Sequence, residues 1–259
     1  MKFKILKTKK SYSFLSAYFK KFGLDEILKS KNFHKRSINQ MKVNSAYEPE
    51  LDDLFLLHSY IIKFRRMTVL EFGTGWSTLV MANAIKYNKI KYSNYTKNLR
   101  LNNAGEVHTL DNEKAWLGNT KKITSKYLKF IKYHYSEANM DLFNGRICTS
   151  FKKLPKINPD FIYLDGPDQF NIKGNKNGIN LNHNDLMPMS CDLLKIESFL
   201  KPGTIIIVDG RAANSRFLKS NFQREWKYSY NNTNDQHVFY LNEKPLGKLN
   251  NNQLNFYFK

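Results

Sequence analysis

Residues 68–78 read TVLEFGTGWST, and this stretch decides the fold of the chain. The apolar run Thr68–Phe72 predicts a strand, and a helix is predicted to begin at Ser77. Between them, Gly73 and Gly75 are separated by a single residue. Glycines at such a turn let a ligand approach bare backbone, so the stretch predicts a binding site at the end of a strand.

Alternating strands and helices continue along the chain. Further strands are predicted at 106–111, 131–138, 161–164 and 204–210, and two closing strands flank the turn NNTND at 231–235. We therefore expect an α/β domain with a doubly wound, mainly parallel seven-stranded sheet that ends in a C-terminal antiparallel hairpin. The expected organisation is a basic, partly helical extension at 1–46, this domain at 47–242 and a tail at 243–259.

The carboxyl ends of the strands are where ligands bind in such sheets. At the first of these ends the dinucleotide-binding motif GxGxxG is incomplete, because Thr78 occupies the position of the third glycine. Glu71 precedes the glycines, and its carboxylate would repel a pyrophosphate. The turn is better suited to a ligand with a cationic end.

The pattern ExGxG after an apolar strand resembles the first motif of class I S-adenosylmethionine (SAM)-dependent methyltransferases, whose fold is Rossmann-like. KPGTIIIVD, residues 201–209, is similar to the turn and fifth strand of that family. The resemblance covers roughly residues 65–242 and implies SAM as cofactor. The residues that it implies for cofactor binding are Glu71, Gly73, Thr74, Gly75, Trp76, Ser77, Asp111 and Asp165.

Two of these assignments have open alternatives. Asp111 would accept hydrogen bonds from the ribose, although it follows Glu71 at about twice the usual ~20 residues. A polar insertion at 88–105 would explain that spacing. Trp76 either covers the cofactor or packs in the core. Replacing Gly73 by valine is expected to block cofactor binding while the chain still folds.

A hydroxyl acceptor must lose its proton to a base or a metal-bound group. The predicted catalytic residues are Asp165, His183 and Asp209, and Asp165 and Asp209 are also candidate ligands for Mg²⁺. The layout is similar to catechol-type and sugar-type metal-dependent O-methyltransferases. Those families commonly follow the second aspartate with Asn or Asp, whereas this chain has Gly210, so the use of a metal is left open.

The net charge of +20 raises nucleic acid as a rival partner. Only eight of the 42 basic residues are arginine, and they are dispersed, which favours compositional bias. The segment Asp165–Asp168 lacks the (D/N)PP(Y/F) motif of amino-methylating nucleic-acid enzymes. The favoured function is methyl transfer to a hydroxyl of a small molecule or glycan. The alternatives are an RNA methyltransferase and a non-catalytic binding protein that retains the fold.

The N-terminal segment combines aromatic residues with lysines. Phe14, Tyr18 and Phe22 recur at near-helical spacing, which is typical of a helix packed on the domain or of peripheral contact with a membrane. No apolar run is long enough for a transmembrane helix or a secretion signal, which predicts a cytoplasmic protein. Cys148 and Cys191 form no CxxC pattern, so no structural zinc is expected. The oligomeric state is not indicated.

Overall fold

The computed structural model describes residues 3–6, 9–29, 49–183 and 185–259. Its strands, in chain order, are β1 (Thr68–Phe72), β2 (Glu106–Asp111), β3 (Ile131–Tyr135), β4 (Ala138–Phe143), β5 (Arg146–Phe151), β6 (Phe161–Leu164), β7 (Ile172–Lys173), β8 (Ile205–Asp209), β9 (Trp226–Asn231) and β10 (Gln236–Leu241). Its α-helices are α1 (Tyr12–Lys21), α2 (Asp25–Lys29), α3 (Leu51–Lys63), α4 (Trp76–Lys91), α5 (Ser93–Thr96), α6 (Lys114–Ile123), α7 (Asp192–Ile196), α8 (Ala212–Asn221) and α9 (Gly247–Phe258). Each of these helices is too short or too polar to span a membrane.

Seven strands form the main sheet, in the order β3-β2-β1-β6-β8-β10-β9. The first five are parallel, and β10 runs antiparallel to both β8 and β9. This is the predicted Rossmann-like, mainly parallel seven-stranded sheet with its closing antiparallel hairpin, and that prediction of the fold is confirmed. The order reverses between β1 and β6, which places the ends of β1, β2, β6 and β8 side by side at one edge.

The strands are buried on both faces because helices cover each side of the sheet. Val69, Ile205 and Ile207 face one core together with α3 and α4. Ile206 and Val208 face a second core that includes Leu193 of α7 and Leu218 of α8. Alternate residues of one apolar strand thus supply opposite cores, which is why these strands read as continuous hydrophobic runs.

Two predicted elements differ from the structure. The strand expected at 131–138 ends at Tyr135, which pairs with Asp111, the last residue of its partner strand β2. The chain then enters a small second sheet, β5-β4-β7. The polar insertion predicted at 88–105 begins inside α4 and includes α5.

The two ends of the chain pack on the domain. Leu15 and Phe19 of α1 are buried in the core beside α3. Phe256 and Tyr257 of α9 form a further apolar cluster with Met67 and Leu99. The division at 46/47 and 242/243 stays a prediction, and residues 30–48, which contain the first boundary, lie outside the described residues.

Arg66, immediately before β1, is fully buried beneath the last helix. It donates from Nη1 to the carbonyl oxygen of Gly203 at 2.8 Å, and its guanidinium carbon lies 4.3 Å from the centre of the Tyr257 ring. Its Nε and Nη2 atoms have no hydrogen-bond partner among the described residues. The charge of the buried Asp160 carboxylate and the ring face of Tyr257 together compensate this buried cation.

Candidate functional site

Gly73 begins the turn after β1 and is fixed by neighbouring strands. Its N–H donates to the carbonyl oxygen of Leu110 at 2.9 Å, and its own carbonyl oxygen accepts from Thr109 Oγ1 at 2.7 Å. Its φ angle of 99° is one that L side chains rarely adopt. A Cβ added there would lie 3.2 Å from the carbonyl carbon of Asp165. Conversely, a Cβ on Gly166 would lie 2.6 Å from the Gly73 nitrogen.

These two glycines therefore allow the ends of β1 and β6 to approach backbone to backbone. The expectation that valine at Gly73 would block a ligand while the chain still folds needs correction. The added side chain would first meet the Asp165–Gly166 backbone, and the strain would act on the fold itself. The sequence could not show this, since the colliding segment lies more than ninety residues away.

Gly75 has the opposite environment. A Cβ added there would meet no atom within 4 Å, so this position faces open space at the carboxyl edge of the sheet. Its N–H donates to Thr78 Oγ1 at 3.0 Å, which holds the turn against the first turn of α4. Thr74 Oγ1 lies 3.4 Å from the same hydroxyl. Gly75 thus exposes bare backbone at this edge of the sheet.

Glu71 lies directly beneath this turn and is fully buried. Its two carboxyl oxygens accept from Ser77 Oγ at 2.5 Å and from Thr78 Oγ1 at 2.6 Å. Burial raises the pKa of Glu71 to about 8, although the hydrogen bonds from Ser77 and Thr78 lower it. Glu71 therefore holds the first turn of α4 and places a titratable charge under the open position, but its oxygens are not exposed to a ligand.

Asp111 ends β2, the neighbour of β1. Its side chain is 5% exposed, and Oδ1 accepts from the Glu113 N–H at 2.8 Å. Burial raises the pKa of Asp111 to about 7, and the nearby carboxylates of Asp168, Glu113 and Asp165 raise it further. When a carboxylate is nearly buried beside other acids, hydrogen bonds that it accepts stabilise its ionised form strongly.

The loops that follow β2 and β6 are joined by residues that the sequence did not indicate. Asn112 Oδ1 accepts from the Asp168 N–H at 2.8 Å, and Asn112 Nδ2 donates to the Asp168 carbonyl oxygen at 3.0 Å. Trp116 Nε1 donates to the Asp168 carboxylate at 3.3 Å. These contacts fix one side of the open position, and their only signal in the sequence is that both partners follow predicted strands.

Asp165 ends β6 at the same edge, and its side chain is 52% exposed. Arg211, just after β8, lies beside it, with Nε 3.4 Å from the carboxylate. The same guanidinium donates from Nη2 to the Asp165 carbonyl oxygen at 2.6 Å and from Nη1 to that of Pro167 at 3.4 Å. Arg211 therefore ties the β6 loop to the end of β8 and leaves Asp165 partly accessible.

The structure describes no contact between these strand-end residues and two of the predicted catalytic residues. His183 is exposed, and its described contacts are with Asp185, whose N–H donates to Nδ1 at 3.2 Å. Asp209 ends β8 at the correct edge, but its side chain lies outside the described part of the structure. Among the described residues, no group of three or more His, Cys, Asp or Glu side chains could hold a metal ion.

Trp76 begins α4 and is partly buried against the core that contains α3. Its Nε1 is buried and has no hydrogen-bond partner among the described residues. The ring therefore packs against the core, which was one of the two alternatives for Trp76. The indole N–H has no hydrogen-bond partner among the described residues.

No protein-family model matches the chain, and no curated protein matches it. Some solved structures are similar to this chain at a low level. The O-methyltransferase TomG from Streptomyces achromogenes, solved with SAM, is 11% identical, with a TM-score of 0.41 over 92% of this chain and 93% of its own. A methyltransferase from Geobacter sulfurreducens is 10% identical, with a TM-score of 0.47 over 92% and 100%. An O-methyltransferase from Bacillus cereus, solved with SAH, is 14% identical, with a TM-score of 0.43 over 85% and 97%. Likeness at this level does not extend to cofactor or substrate, and both are inferred below from the site itself.

Proposed function

We propose that the chain transfers a methyl group from SAM to a hydroxyl of a small molecule or glycan. The observation that carries this proposal is the open backbone position at Gly75, with the buried Glu71 beneath it and Asp111 on the next strand. A cationic ligand is favoured over a pyrophosphate because a cation would favour the ionised forms of Glu71 and Asp111, whereas an anion would oppose their ionisation.

The described residues would fit SAM in a definite way. The backbone at 73–75 would lie against its amino-acid portion, and Asp111 would accept hydrogen bonds from the ribose hydroxyls. Glu71 would act through space, since its oxygens are already engaged by Ser77 and Thr78. Trp76 would lie beside the cofactor only through the accessible part of its ring, since its Nε1 is buried. SAM supplies an electrophilic methyl group on a sulfonium.

Asp165 is the proposed catalytic group at the acceptor. Asp165 would accept the hydroxyl proton as the acceptor oxygen bonds to the methyl group that SAM would supply, with the electron pair of the broken carbon–sulfur bond left on sulfur. Its partial exposure beside the fixed β6 loop allows that contact. Asp209 would stand at the neighbouring strand end, and His183 has no described contact that brings it there.

The described donor set does not fit Mg²⁺. The guanidinium of Arg211 lies 3.4 Å from the Asp165 carboxylate, and a fixed cation there disfavours a second one. No described cluster offers the several oxygen ligands that a hard cation requires. The proposed reaction therefore uses no metal ion.

The cofactor assignment is tested by calorimetric titration of SAM and SAH into the wild-type chain and two valine variants. Gly75→Val fills the open position, whereas Gly118→Val in α6 adds the same side chain where no atom lies within 4 Å. We expect wild type and Gly118→Val to bind and Gly75→Val to lose binding while its circular dichroism is unchanged. Equal binding by both variants, or binding of a nicotinamide cofactor instead, would overturn the assignment.

The acceptor class is tested with SAM that carries a labelled methyl group, incubated with separated small-molecule, polysaccharide and RNA fractions. Label in the first or second fraction supports the proposal, with Asp165→Asn as the inactive control that should still bind SAM. Label confined to RNA would establish the alternative enzyme. Binding of SAM with no transfer to any fraction would favour a non-catalytic protein.

A further inference from the structure

A groove of about 390 Å³ lies on the far side of α3 from the sheet and is separate from the strand ends. Its floor is apolar and aromatic, and its rim is basic. The residues that line it are Leu6, Lys10, Phe14, Tyr18, Lys21, Phe22, Phe55, Ser59, Ile62 and Lys63. They come from the N-terminal segment and from α3, so the groove is formed where these two parts of the chain meet.

Helix α1 divides its apolar residues between the core and this groove. Leu15 and Phe19 are buried in the core, which accounts for one face of the helix. Phe14 lies on the other side and is 43% exposed, although large aromatic side chains are usually covered. Packing of α1 on the domain therefore explains only part of the aromatic pattern that the sequence shows.

The groove is held in shape by buried polar contacts. Tyr18 Oη lies 2.7 Å from His58 Nδ1, and His58 Nε2 lies 3.0 Å from Asn83 Oδ1 in α4. The Tyr18 ring meets Phe55 edge-on, with centroids 4.7 Å apart. These contacts join α1, α3 and α4, so the floor of the groove is preformed.

The charged residues that line the groove are all lysines, and Asp52 Oδ1 accepts from the Lys10 N–H at 2.9 Å beside the rim. Lys10, Lys21 and Lys63 line it, and no acidic side chain is among the described residues that do so. Lys10 Nζ lies 4.9 Å from the centre of the exposed Phe14 ring, which places cation and aromatic surface together. Lys9 and Lys20 add exposed positive charge on the same segment. An apolar floor with a lysine rim is complementary to an anionic amphiphile.

We propose that this face docks on an anionic lipid bilayer, with Phe14 inserted and the three rim lysines beside phosphate headgroups. A bilayer is favoured over a single bound lipid because the groove is open to solvent, whereas small-ligand sites enclose most of their ligand. Exposed aromatic residues beside lysines are the combination by which amphipathic surfaces bind anionic membranes. The proposal does not depend on methyl transfer.

The test is co-sedimentation of the full chain with vesicles of phosphatidylcholine alone and of phosphatidylcholine mixed with phosphatidylglycerol. We expect binding to the mixed vesicles only, weakened by salt. The triple variant Lys10→Gln, Lys21→Gln, Lys63→Gln should lower the partition coefficient by about fivefold per lysine, and so by roughly 100-fold. Phe14→Ser should lower it further without unfolding the chain, because the ring is half exposed.

The matched control is Lys227→Gln, Lys244→Gln, Lys248→Gln, which removes the same charge from exposed positions outside the groove. If the control and groove variants lose vesicle binding equally, net charge alone explains the binding and the proposal is overturned. So would wild-type binding to neutral vesicles alone. Saturable binding of soluble decanoate with no sedimentation on vesicles would assign the groove to a single-chain ligand instead. Unfolding curves in urea confirm that each variant is folded.

Discussion

Replacing Glu71 by glutamine should make the stability of the protein less sensitive to alkaline pH. Glutamine preserves the shape of the side chain and can still join Ser77 and Thr78, but it cannot ionise. In the wild type the folded-state pKa of Glu71 is raised from 4.5 to about 8. A carboxyl with a raised pKa binds its proton more tightly in the folded state, so the folded state loses stability as pH rises through that window.

The size of the effect follows from the shift. Each pKa unit corresponds to about 1.36 kcal/mol, so a shift from 4.5 to about 8 corresponds to roughly 5 kcal/mol between pH 4.5 and pH 8. Glu71 is fully buried, so solvent screening does not reduce this value. The pKa values of Asp111 and Asp192 are raised as well, each to about 7. Those contributions are common to both proteins and cancel in the difference.

The assay is urea unfolding of wild type and Glu71→Gln at a series of pH values from 5 to 9. We expect the glutamine variant to gain several kcal/mol relative to wild type between pH 5 and pH 9. A difference that stays constant within about 0.5 kcal/mol would refute the assignment of a buried, proton-binding Glu71. In the wild type, binding of SAM should release more protons than binding of SAH, because the positive charge of the sulfonium favours the ionised form of Glu71. The variant should not show this excess.

Three further predictions address the strand ends. Gly73→Ala should lower the free energy of unfolding by about 1–3 kcal/mol, because its φ angle disfavours a side chain, and urea curves in which the variant is as stable as wild type would contradict this reasoning. Asp111→Ala should weaken SAM binding by about 1–3 kcal/mol through loss of charge-assisted hydrogen bonds, and unchanged calorimetric affinity would remove Asp111 from the site. Asn112→Ala breaks both hydrogen bonds to the Asp168 backbone and should raise hydrogen exchange at the Asp168 amide, while protection equal to wild type would contradict that role.

The sheet could be predicted because its determinants are local. Residues 161–164 and 205–208 are short apolar runs between turn residues, and parallel strands covered on both faces have that pattern. The break after Tyr135 could not be predicted, since β3 ends where its partner β2 ends, at the pair Asp111–Tyr135, and that register is set by strand pairing in the folded chain. The pairing of β4 with β5 and β7 depends on tertiary contacts in the same way.

The candidate site was predictable only in outline. The spacing of Gly73 and Gly75 located the turn but gave both glycines one role, whereas the structure gives them two. The difference depends on Gly166, which approaches one glycine and not the other. The pairing of Asn112 with Asp168 joins positions 56 residues apart and leaves no local pattern. Contacts of this kind arise from tertiary structure, which propensity and spacing do not encode.

The buried Arg66 has a practical consequence for anyone who shortens this chain. Its guanidinium lies against the Tyr257 ring, two positions from Lys259. Trimming a few terminal residues, a routine step before crystallisation, would remove the Tyr257 ring from the guanidinium of Arg66 near the first strand. The C-terminus is therefore a poor place for deletions, and an affinity tag is better separated from it by a spacer.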